Sequence, residues 1–576
     1  MNTNYFADDY IPGSTNIFSS SDDSSSNHTG RPLKKNKKGV ILLPQPSDSV
    51  NDPLNWSAAR KTWHFLVVCY ITGLTAAIAN DAGAAQESLN QFYGISYDAM
   101  NTGAGVLFLF IGWSCIFFAP ASSLFGRRIT YLICLLAGTL GSVWFALSRK
   151  TADTIWSQAF VGMSEACAEA QAQQSLADIF FQHQLGSVLT VYILATSVGS
   201  FLGPLIAHLI SESQTFRWVG WWGAIITGAT LVLVLFTCEE TVFDRSKYFP
   251  VYESPEEAVA MIDDPERDYK PLSEKEKEAS EPTAVTSGTE LAVERTRRRS
   301  RPAVTEMDEE SGLEKEKPNS YLKQIAIITP SEYIKGTGFK QYIERFLVYF
   351  KVFTLPAVWL SGLLWGLQDA YMSFFLTTQD TFFYDEPWNL TETGVAVMNV
   401  ATLIGAVIGC IMSGVFSDKH VLWLAKRHDG VYEPEYRLYL LFITMIISPV
   451  GLIMFGVGAD REWPGWVVYG GLALIGFGWG SIGDTAMSYL MDSYPEIVIQ
   501  GMVGVSIINN TLACIFTFTC SLWLNSAGTQ NTYIALAVID FVSIAFIIPT
   551  LYWGKSWRKW SKGLYVELVE LTQGMG

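Results

Sequence analysis

Twelve apolar runs, each about as long as a lipid bilayer is thick, constrain the fold of this chain more than any other feature. The hydrocarbon core is about 30 Å thick and needs roughly 20 helical residues to cross it. Backbone N–H and C=O groups in the hydrocarbon must be hydrogen-bonded within the protein, which favours helices. The runs cover residues 62–86, 99–119, 129–148, 154–177, 186–210, 218–237, 355–380, 391–416, 437–457, 464–490, 500–524 and 530–552. They predict an all-α, polytopic membrane protein with twelve transmembrane helices in two six-helix halves.

The composition excludes an ordinary soluble protein, since 49% of the residues are hydrophobic and only 16% are charged. The net charge of −16 resides mostly in polar segments outside the runs, so it describes solvated chain and does not indicate a nucleic-acid partner. The eight cysteines lack metal or disulfide spacing, and the histidines are too scattered for a metal site or a nucleophile pair. We therefore expect no enzyme activity, cofactor, metal site or catalytic residue.

Polar segments divide the chain into five regions. Residues 1–60 and 241–350 combine charge with Ser, Thr and Pro, a composition that cannot bury a core. They predict a disordered cytoplasmic N-terminal tail and a largely disordered cytoplasmic linker. The linker separates two six-helix bundles, residues 61–240 and 351–553, and residues 554–576 form a cytoplasmic C-terminal tail.

Basic residues at the ends of the runs predict the orientation in the membrane. They concentrate before the first run and after the second, eighth and twelfth, and basic residues favour the cytoplasmic side of short loops. Both termini are therefore predicted to be cytoplasmic. The loop after the seventh run then lies outside, where the sequon at Asn389 is a candidate glycosylation site.

Five carboxylates lie well inside the predicted spans, namely Glu165, Glu169, Asp369, Asp484 and Asp540. Lys and Arg occur only at the span edges. An ionised side chain at the bilayer centre costs about 2.5–3.5 kcal/mol on insertion scales, and a structural salt bridge lacks a basic partner within the spans. The remaining explanations are protonation, hydrogen bonding, or a cation that arrives from outside.

The positions of these acids suggest different roles. Glu165 and Asp369 both lie near mid-membrane and are expected to face each other across the two halves, whereas Asp484 lies toward the inner end of its span and Asp81 toward an outer end. Glu165 and Glu169 are four residues apart, on one helical face, where like charges repel. One of the two is therefore expected to carry a proton when no cargo is bound, which leaves proton coupling open.

Three aromatic residues are spaced to share a helical face with an acid. Trp365 lies four residues before Asp369 and offers a cation–π contact worth roughly 0.5–2 kcal/mol. Tyr70 precedes Asp81 on one stripe, and Phe477 precedes Asp484. Lipid contact or helix packing is the alternative role for each, and Trp365 is the favoured substrate residue.

Short motifs indicate turns and close helix contacts. A basic turn recurs after the second and eighth runs, in "APASSLFGRR" with Gly126, Arg127 and Arg128, and in "SGVFSDKH" with Asp418 and Lys419.

The fifth run contains "GSFLGPLIA", where Gly199, Gly203 and Pro204 allow close approach of a neighbouring helix and a local break. Helix packing and a direct transport role both remain open for these residues.

The order of these motifs resembles the twelve-span drug:proton antiporter branch of the major facilitator superfamily, over roughly residues 50–560. More narrowly, "NDPLNWS", "NDAGAAQESLNQFYGISYDAMNTGAGVLF", "DIFFQHQLGSVLTVY" and "FRWVGW" resemble fungal plasma-membrane polyamine importers. The resemblance implies the major facilitator fold, a central cavity lined by spans 1, 4, 7 and 10, and uptake of spermidine, putrescine and similar cations by alternating access. The wider branch implies proton coupling.

The chain also departs from the pattern of that branch. Relatives carry an acidic and then a basic residue where this chain has Ser123 and Leu124, so the gating charge pair of the first half is expected to be absent. Asp418 and Lys419 retain that pair in the second half. Gln158 replaces an arginine that relatives use, which weakens the case for antiport and makes Gln158 a further candidate.

Together these residues predict a substrate site and its partners. The candidate substrate-binding residues are Glu165, Glu169, Asp369, Asp484, Asp81, Trp365, Tyr70, Phe477 and Gln158. Asp540 lies on the twelfth span, which the resembling fold places at the periphery, so a structural role is expected. The expected partners are a polyamine, protons and the lipid bilayer, and the expected state is a monomer. The alternatives are a drug:proton antiporter that exports cationic drugs and a nutrient sensor that moves nothing.

Overall fold

The computed structural model describes residues 10–16, 34, 42, 44–243, 245, 316–331, 334–384, 386–428 and 430–574. The chain forms two compact units, one with Met1–Thr3, Ser20–Asn55 and Phe243–Asn319, and a larger one with Asn4–Ser19, Trp56–Val242 and Ser320–Gly576. The predicted disorder of residues 246–315, and of most of the N-terminal tail, concerns chain outside the described residues.

The larger unit contains twelve long helices within its described residues, one for each predicted run. They are α1 (Ala58–Ala79), α2 (Tyr97–Phe125), α3 (Arg127–Ala146), α4 (Thr151–Ala166, a π-helical turn Cys167–Ala172, and Gln173–Ile179), α5 (Gln182–Ser213), α6 (Phe216–Thr237), α7 (Pro356–Phe382), α8 (Glu392–Ile411, a π-helical turn Met412–Phe416, and Ser417–Arg427), α9 (Leu441–Asp460), α10 (Gly465–Ser493), α11 (Val498–Ala527) and α12 (Thr529–Ala545 and Ile547–Trp560). Shorter helices include Gln86–Tyr93, Phe339–Tyr349 and Lys562–Gly574.

The fourth helix is the polar member of this set. Ten helices among the described residues are long and apolar enough to cross a membrane, and α7 joins them if it is counted with Phe339–Thr354, from which it bends by 83°. The helix α4 falls short because it carries glutamine, glutamate and serine, but these side chains are mostly buried. Polar residues within membrane spans usually face the interior of the helix bundle, where solute pathways run.

Local sequence signals explain where the helices begin and end. The side chains of Ser57, Ser96 and Thr391 each accept a backbone hydrogen bond at the start of α1, α2 and α8. Gly126, with φ +105°, separates α2 from α3, and Gly528, with φ +78°, separates α11 from α12. Such positive φ angles are costly for residues with a Cβ atom.

Small residues allow the helices around the site to approach closely. A Cβ atom on Gly199 of α5 would overlap the carbonyl oxygen of Gly73 on α1, and one on Gly203 would lie 2.7 Å from Ala77 Cα. This contact gives Gly199 and Gly203 a packing role, one of the two alternatives that the sequence left open. Between the halves, Asn101 of α2 donates a hydrogen bond of 2.6 Å to Ser521 of α11.

Several predicted boundaries differ from the structure. The first helix ends at Ala79 and leaves Asp81 beyond it, at the start of the short helix Ala82–Ala85. The last helix continues to Trp560 and is followed by another helix, so residues 554–576 are helical over their described part.

The N-terminal tail and the linker also contain ordered segments. Thr15 and Asn16 pair with Tyr432 and Val431 in a two-stranded antiparallel sheet. In the smaller unit, Asp52 is fully buried and accepts a hydrogen bond of 3.1 Å from Arg245. Composition predicted disorder here because it cannot reveal single contacts such as the strand pairing and the Arg245–Asp52 hydrogen bond.

Candidate functional site

Three carboxylates from the two halves lie close together: Glu165 and Glu169 on α4, and Asp369 on α7. Glu165 interacts electrostatically with the other two, and Glu169 with Asp369. Glu165 and Asp369 are each 8% exposed. Within the described residues, none of the three forms an ion pair with a Lys or Arg side chain. The structure therefore brings three predicted substrate residues into one cluster that lacks a basic partner in that part of the chain.

The π-helical turn Cys167–Ala172 shapes the α4 side of this acidic cluster. Glu169 lies within that turn, whereas Glu165 precedes it. The Tyr192 hydroxyl of α5 donates a hydrogen bond of 2.5 Å to the carbonyl oxygen of Ala168 in the same turn. Widened turns of this kind recur at functional sites, because they free backbone groups and redirect side chains.

Trp479 of α10 positions the α7 side of the acidic cluster. Its indole Nε1 donates a hydrogen bond of 2.9 Å to Asp369 Oδ1. The Trp479 ring lies 4.7 Å from the Trp365 ring and 5.5 Å from the Phe201 ring, measured between centroids. Trp365 thus lies beside the acidic cluster, in an aromatic wall that sequence analysis described only in part.

The aromatic residue that α10 contributes to this wall is Trp479, which the sequence did not predict, and the role of Phe477 beside Asp484 stays a prediction. The backbone of Phe477 packs against Gly405 and Gly409 of α8. Helical spacing relates residues of a single helix, so it could not pair Trp479 of α10 with Asp369 of α7. The glycine-rich run "GFGWGS" was the available signal, since glycines flank both of its large aromatic residues, Phe477 and Trp479.

A cavity of about 100 Å³ lies one to two helical turns from the acidic cluster. Its lining includes Ser373, four residues after Asp369, and Gln158, seven before Glu165. Its described lining contains polar and apolar side chains, His208 among them, but no Asp, Glu, Lys or Arg. The Gln158 side-chain oxygen and both polar side-chain atoms of Asn399 are buried without hydrogen-bond partners in the structure. Pro204 also lines this cavity.

The candidates Asp81, Tyr70 and Asp484 lie outside the acidic cluster. Asp81 lies next to the cavity residues Asn80 and Ala82 and does not join the acidic cluster. Tyr70 is 49% exposed, and its hydroxyl lies 3.4 Å from Thr230 Oγ1 on α6. Tyr70 therefore packs at the α1–α6 contact, so helical spacing placed it wrongly in a stripe with Asp81.

Asp484 lies on α10, five residues after Trp479. It is 1% exposed, its Oδ2 atom lies 3.5 Å from Thr190 Oγ1 of α5, and it interacts electrostatically with Arg437 and Asp418. The acidic cluster and Asp484 are therefore distinct features.

The first half contains a network of charged residues around Arg127 and Arg128 that the sequence did not predict. Arg127 Nε lies 3.3 Å from Asp178 Oδ2 at the far end of α4. The Glu240 carboxylate accepts hydrogen bonds from the backbone N–H groups of Arg127 and Arg128, at 2.9 and 3.1 Å. A Cβ atom on Gly126 would overlap that carboxylate. The loop lacks its acidic residue, but acids from two other segments supply the charge.

In the second half, the partner of Asp418 is not Lys419. Arg437 Nη1 lies 2.9 Å from Asp418 Oδ1, and Arg437 Nε lies 2.5 Å from Asp492 Oδ2. Lys419 Nζ lies 5.9 Å from the centre of the Phe416 ring. Arg127 with Asp178 and Arg437 with Asp492 join equivalent helix ends in the two halves, which sequence adjacency could not reveal.

Comparisons with known proteins agree with this architecture. Residues 64–518 match the family model described as Major Facilitator Superfamily. The chain is 51% identical to Protein HOL1 of Saccharomyces cerevisiae, over 100% of this chain and 99% of that protein. It is 45% identical to an uncharacterized MFS-type transporter of Schizosaccharomyces pombe, over 97% of this chain and 95% of the relative.

A solved structure gives the same fold at low sequence identity. The proton:xylose symporter XylE matches with a TM-score of 0.54 and 12% identity, over 86% of this chain and 97% of XylE. The matched family and the relatives are membrane transporters and not enzymes. The chain is therefore a multi-pass membrane transporter that belongs to the major facilitator superfamily.

Proposed function

We propose that this protein imports polyamines such as spermidine and putrescine across the plasma membrane by alternating access. The observation that carries the proposal is the acidic cluster of Glu165, Glu169 and Asp369, which has no ion-pair partner within the described residues. Buried carboxylates without a counter-charge favour a cationic cargo.

The surroundings of the cluster suit a polyamine, in which ammonium groups alternate with methylene segments. Separated carboxylates bind separated ammonium groups, and the rings of Trp365 and Trp479 offer apolar and cation–π contact to the intervening chain. The cavity beside the cluster, where the amide oxygens of Gln158 and Asn399 have no hydrogen-bond partner, can accept a further N–H donor of a longer amine.

The membrane potential is sufficient to drive import. One positive charge that moves inward across 100 mV, inside negative, gains about 2.3 kcal/mol, so a trivalent amine gains about 7 kcal/mol. Both termini are proposed to lie in the cytoplasm, and the protein is proposed to act as a monomer in the lipid bilayer. Proton coupling remains part of the proposal because three carboxylates share one buried site, and a proton on one of them reduces their repulsion.

The test is uptake of labelled spermidine into liposomes that contain the purified protein, with voltage and pH gradients imposed separately. We expect an inside-negative voltage to drive accumulation without a pH gradient, and an added inward proton gradient to increase it if protons are coupled. Glu165→Gln should reduce uptake about tenfold or more, because it removes a buried charge from the cluster.

Asp540→Asn is the matched control, because Asp540 is also a buried acid but bonds to Gln368 at 2.9 Å. It should retain most of the uptake. Unchanged spermidine affinity in Glu165→Gln would contradict the assignment. A drug:proton antiporter would instead expel a cationic drug against a proton gradient, and a sensor would bind spermidine without flux.

A further inference from the structure

The residues Tyr10 to Asn16 lie far ahead of α1 in sequence, yet they bind the C-terminal half. We call this segment the N-terminal strap. The Arg558 guanidinium of α12 donates hydrogen bonds to the carbonyl oxygen of Pro12 and, at 3.1 Å, to the Ser14 hydroxyl. Lys562 Nζ lies 5.8 Å from the centre of the Tyr10 ring. These contacts join residues from opposite ends of the chain.

The strap closes over a compact group of charges. Arg558 is 1% exposed, and its Nη2 atom lies 2.7 Å from Glu433 Oε2 and 2.7 Å from Glu435 Oε2. Lys555 Nζ lies 2.6 Å from Glu433 Oε1. The Ser14 hydroxyl donates a hydrogen bond of 2.5 Å to Glu433 Oε2. Two cations thus balance two carboxylates, and the serine hydroxyl is in direct contact with one of those carboxylates.

The backbone of the strap is held as tightly as its side chains. Thr15 and Asn16 pair with Tyr432 and Val431 as antiparallel strands. Gly13 has φ +78°, and a Cβ atom there would overlap the carbonyl oxygen of Asp492. The side chain of Asp492 holds Arg437, which in turn holds Asp418. The strap therefore packs on the backbone of Asp492, whose side chain belongs to the charge network of Arg437 and Asp418.

We propose that the N-terminal strap is a releasable brace of the C-terminal half, and that Ser14 is a phosphorylation site that releases it. A protein kinase would transfer the γ-phosphoryl group of ATP to Ser14 Oγ, and ADP and the hydroxyl proton would leave. The phosphoryl group carries a charge of about −1.5 to −2. It also removes the hydroxyl proton that Ser14 donates in its hydrogen bond to Glu433. The local charge balance of two against two then becomes strongly negative, which expels the strap.

The pKa of Glu433 agrees with a tightly held carboxylate. Burial raises this pKa, but hydrogen bonds from Lys555, Ser14 and Arg558 outweigh burial, so the pKa lies below its ordinary value. Glu433 therefore stays ionised at any cytosolic pH, and its repulsion of a phosphoryl group does not depend on pH in that range.

A disulfide in the full-length protein measures whether the strap is docked. Asn16 and Val431 are directly opposed in the sheet, at a separation suited to a disulfide. The eight native cysteines are all buried, so an Asn16→Cys, Val431→Cys protein has little background reactivity. A specific protease site inserted after residue 30 then shows on a gel whether the N-terminal fragment remains attached after oxidation.

The cross-linking rate is compared for Ser14, phosphoserine incorporated at position 14, Ser14→Glu and its uncharged isostere Ser14→Gln. We expect phosphoserine and Ser14→Glu to cross-link about tenfold more slowly than Ser14→Gln. Glu433→Gln should restore the rate in the Ser14→Glu protein, because it removes the repelling charge. Equal rates for all four proteins would overturn control at Ser14. Absence of cross-linking in every protein, each monodisperse after purification, would overturn strap docking itself. Neither readout requires a transported substrate.

Discussion

The indole Nε1 of Trp479 lies 2.9 Å from Oδ1 of Asp369 and donates a hydrogen bond to it. An indole can only donate, so it orients the carboxylate without adding a positive charge. The hydrogen bond engages Oδ1 and neutralises no charge on the carboxylate. Asp369 is thus held in a defined orientation and remains able to attract a cation.

Trp479→Phe tests this arrangement, because it removes the N–H donor and keeps an aromatic ring. A hydrogen bond to a charged group contributes about 1.5–3 kcal/mol, so we expect the KM for spermidine to rise about tenfold or more. Trp466→Phe, at a 75% exposed position of α10, is the control and should leave KM unchanged. Equal KM values for both variants would contradict a positioning role for Trp479.

The α1–α5 contact predicts a large effect from a single methyl group. In Gly199→Ala the new Cβ atom overlaps the carbonyl oxygen of Gly73, and a backbone atom cannot move aside cheaply. We expect a loss of about 1–3 kcal/mol of stability, seen as a lower melting temperature in detergent. Gly465→Ala, where nothing lies within 4 Å of the added atom, should melt like the unmodified protein. Similar melting of the two variants would mean that the helices separate without cost.

Because Arg437 pairs with two carboxylates at once, we expect that a positive charge alone does not give the full stability at this position. Its guanidinium reaches both Asp418 and Asp492, and a lysine ammonium lacks this fork geometry. We expect Arg437→Gln to cost about 3–5 kcal/mol, because two carboxylates lose their partner, and Arg437→Lys to recover only part of it. The exposed Arg149→Gln is the control for thermal unfolding. Full recovery by lysine would show that only the charge matters.

Glycosylation tests the predicted orientation. Asn389 is exposed in the loop between α7 and α8, whereas the sequons at Asn27 and Asn55 precede α1. With both termini cytoplasmic, expression in a eukaryotic host should modify Asn389 alone of these three. Asn389→Gln should abolish the shift in gel mobility that an endoglycosidase removes. Modification of Asn27 or Asn55 would reverse the proposed topology.

The smaller unit predicts a pH dependence at Asp52. Burial raises the pKa of Asp52, but Arg245 and the backbone N–H groups of Ser47 and Leu54 outweigh burial and hold this pKa below its ordinary value of 3.8. The resulting stability is fully present above that value and is lost as the pH falls through the lower folded pKa. Hydrogen exchange of residues 44–55, corrected for intrinsic rates, should therefore stay slow from pH 7 to about pH 5.

Asp52→Asn should accelerate this exchange at pH 7, whereas the exposed Asp48→Asn should not. Identical exchange in the two variants would mean that the Asp52–Arg245 contact does not hold the segment.

The sequence predicted the number, order and approximate limits of the twelve helices, because lipid imposes one strong requirement on every span. It also selected Glu165, Glu169 and Asp369 as unusual acids. These conclusions depend on local composition and on helical spacing, which do not require knowledge of neighbouring helices. The same reasoning placed Tyr70 wrongly, since a helical face can be turned toward any neighbour.

Only the tertiary structure decided which residues distant in sequence are in contact. Arg127 forms an ion pair with Asp178, and Arg437 forms ion pairs with Asp418 and Asp492. Trp479 donates a hydrogen bond to Asp369, and Arg558 donates one to the N-terminal strap. Hydropathy and spacing describe each helix singly, whereas these pairs depend on how packed helices are rotated and displaced against one another. The sequence by itself thus determined that acids without internal counter-charges lie within the membrane spans, and helix packing decided which of them share one site.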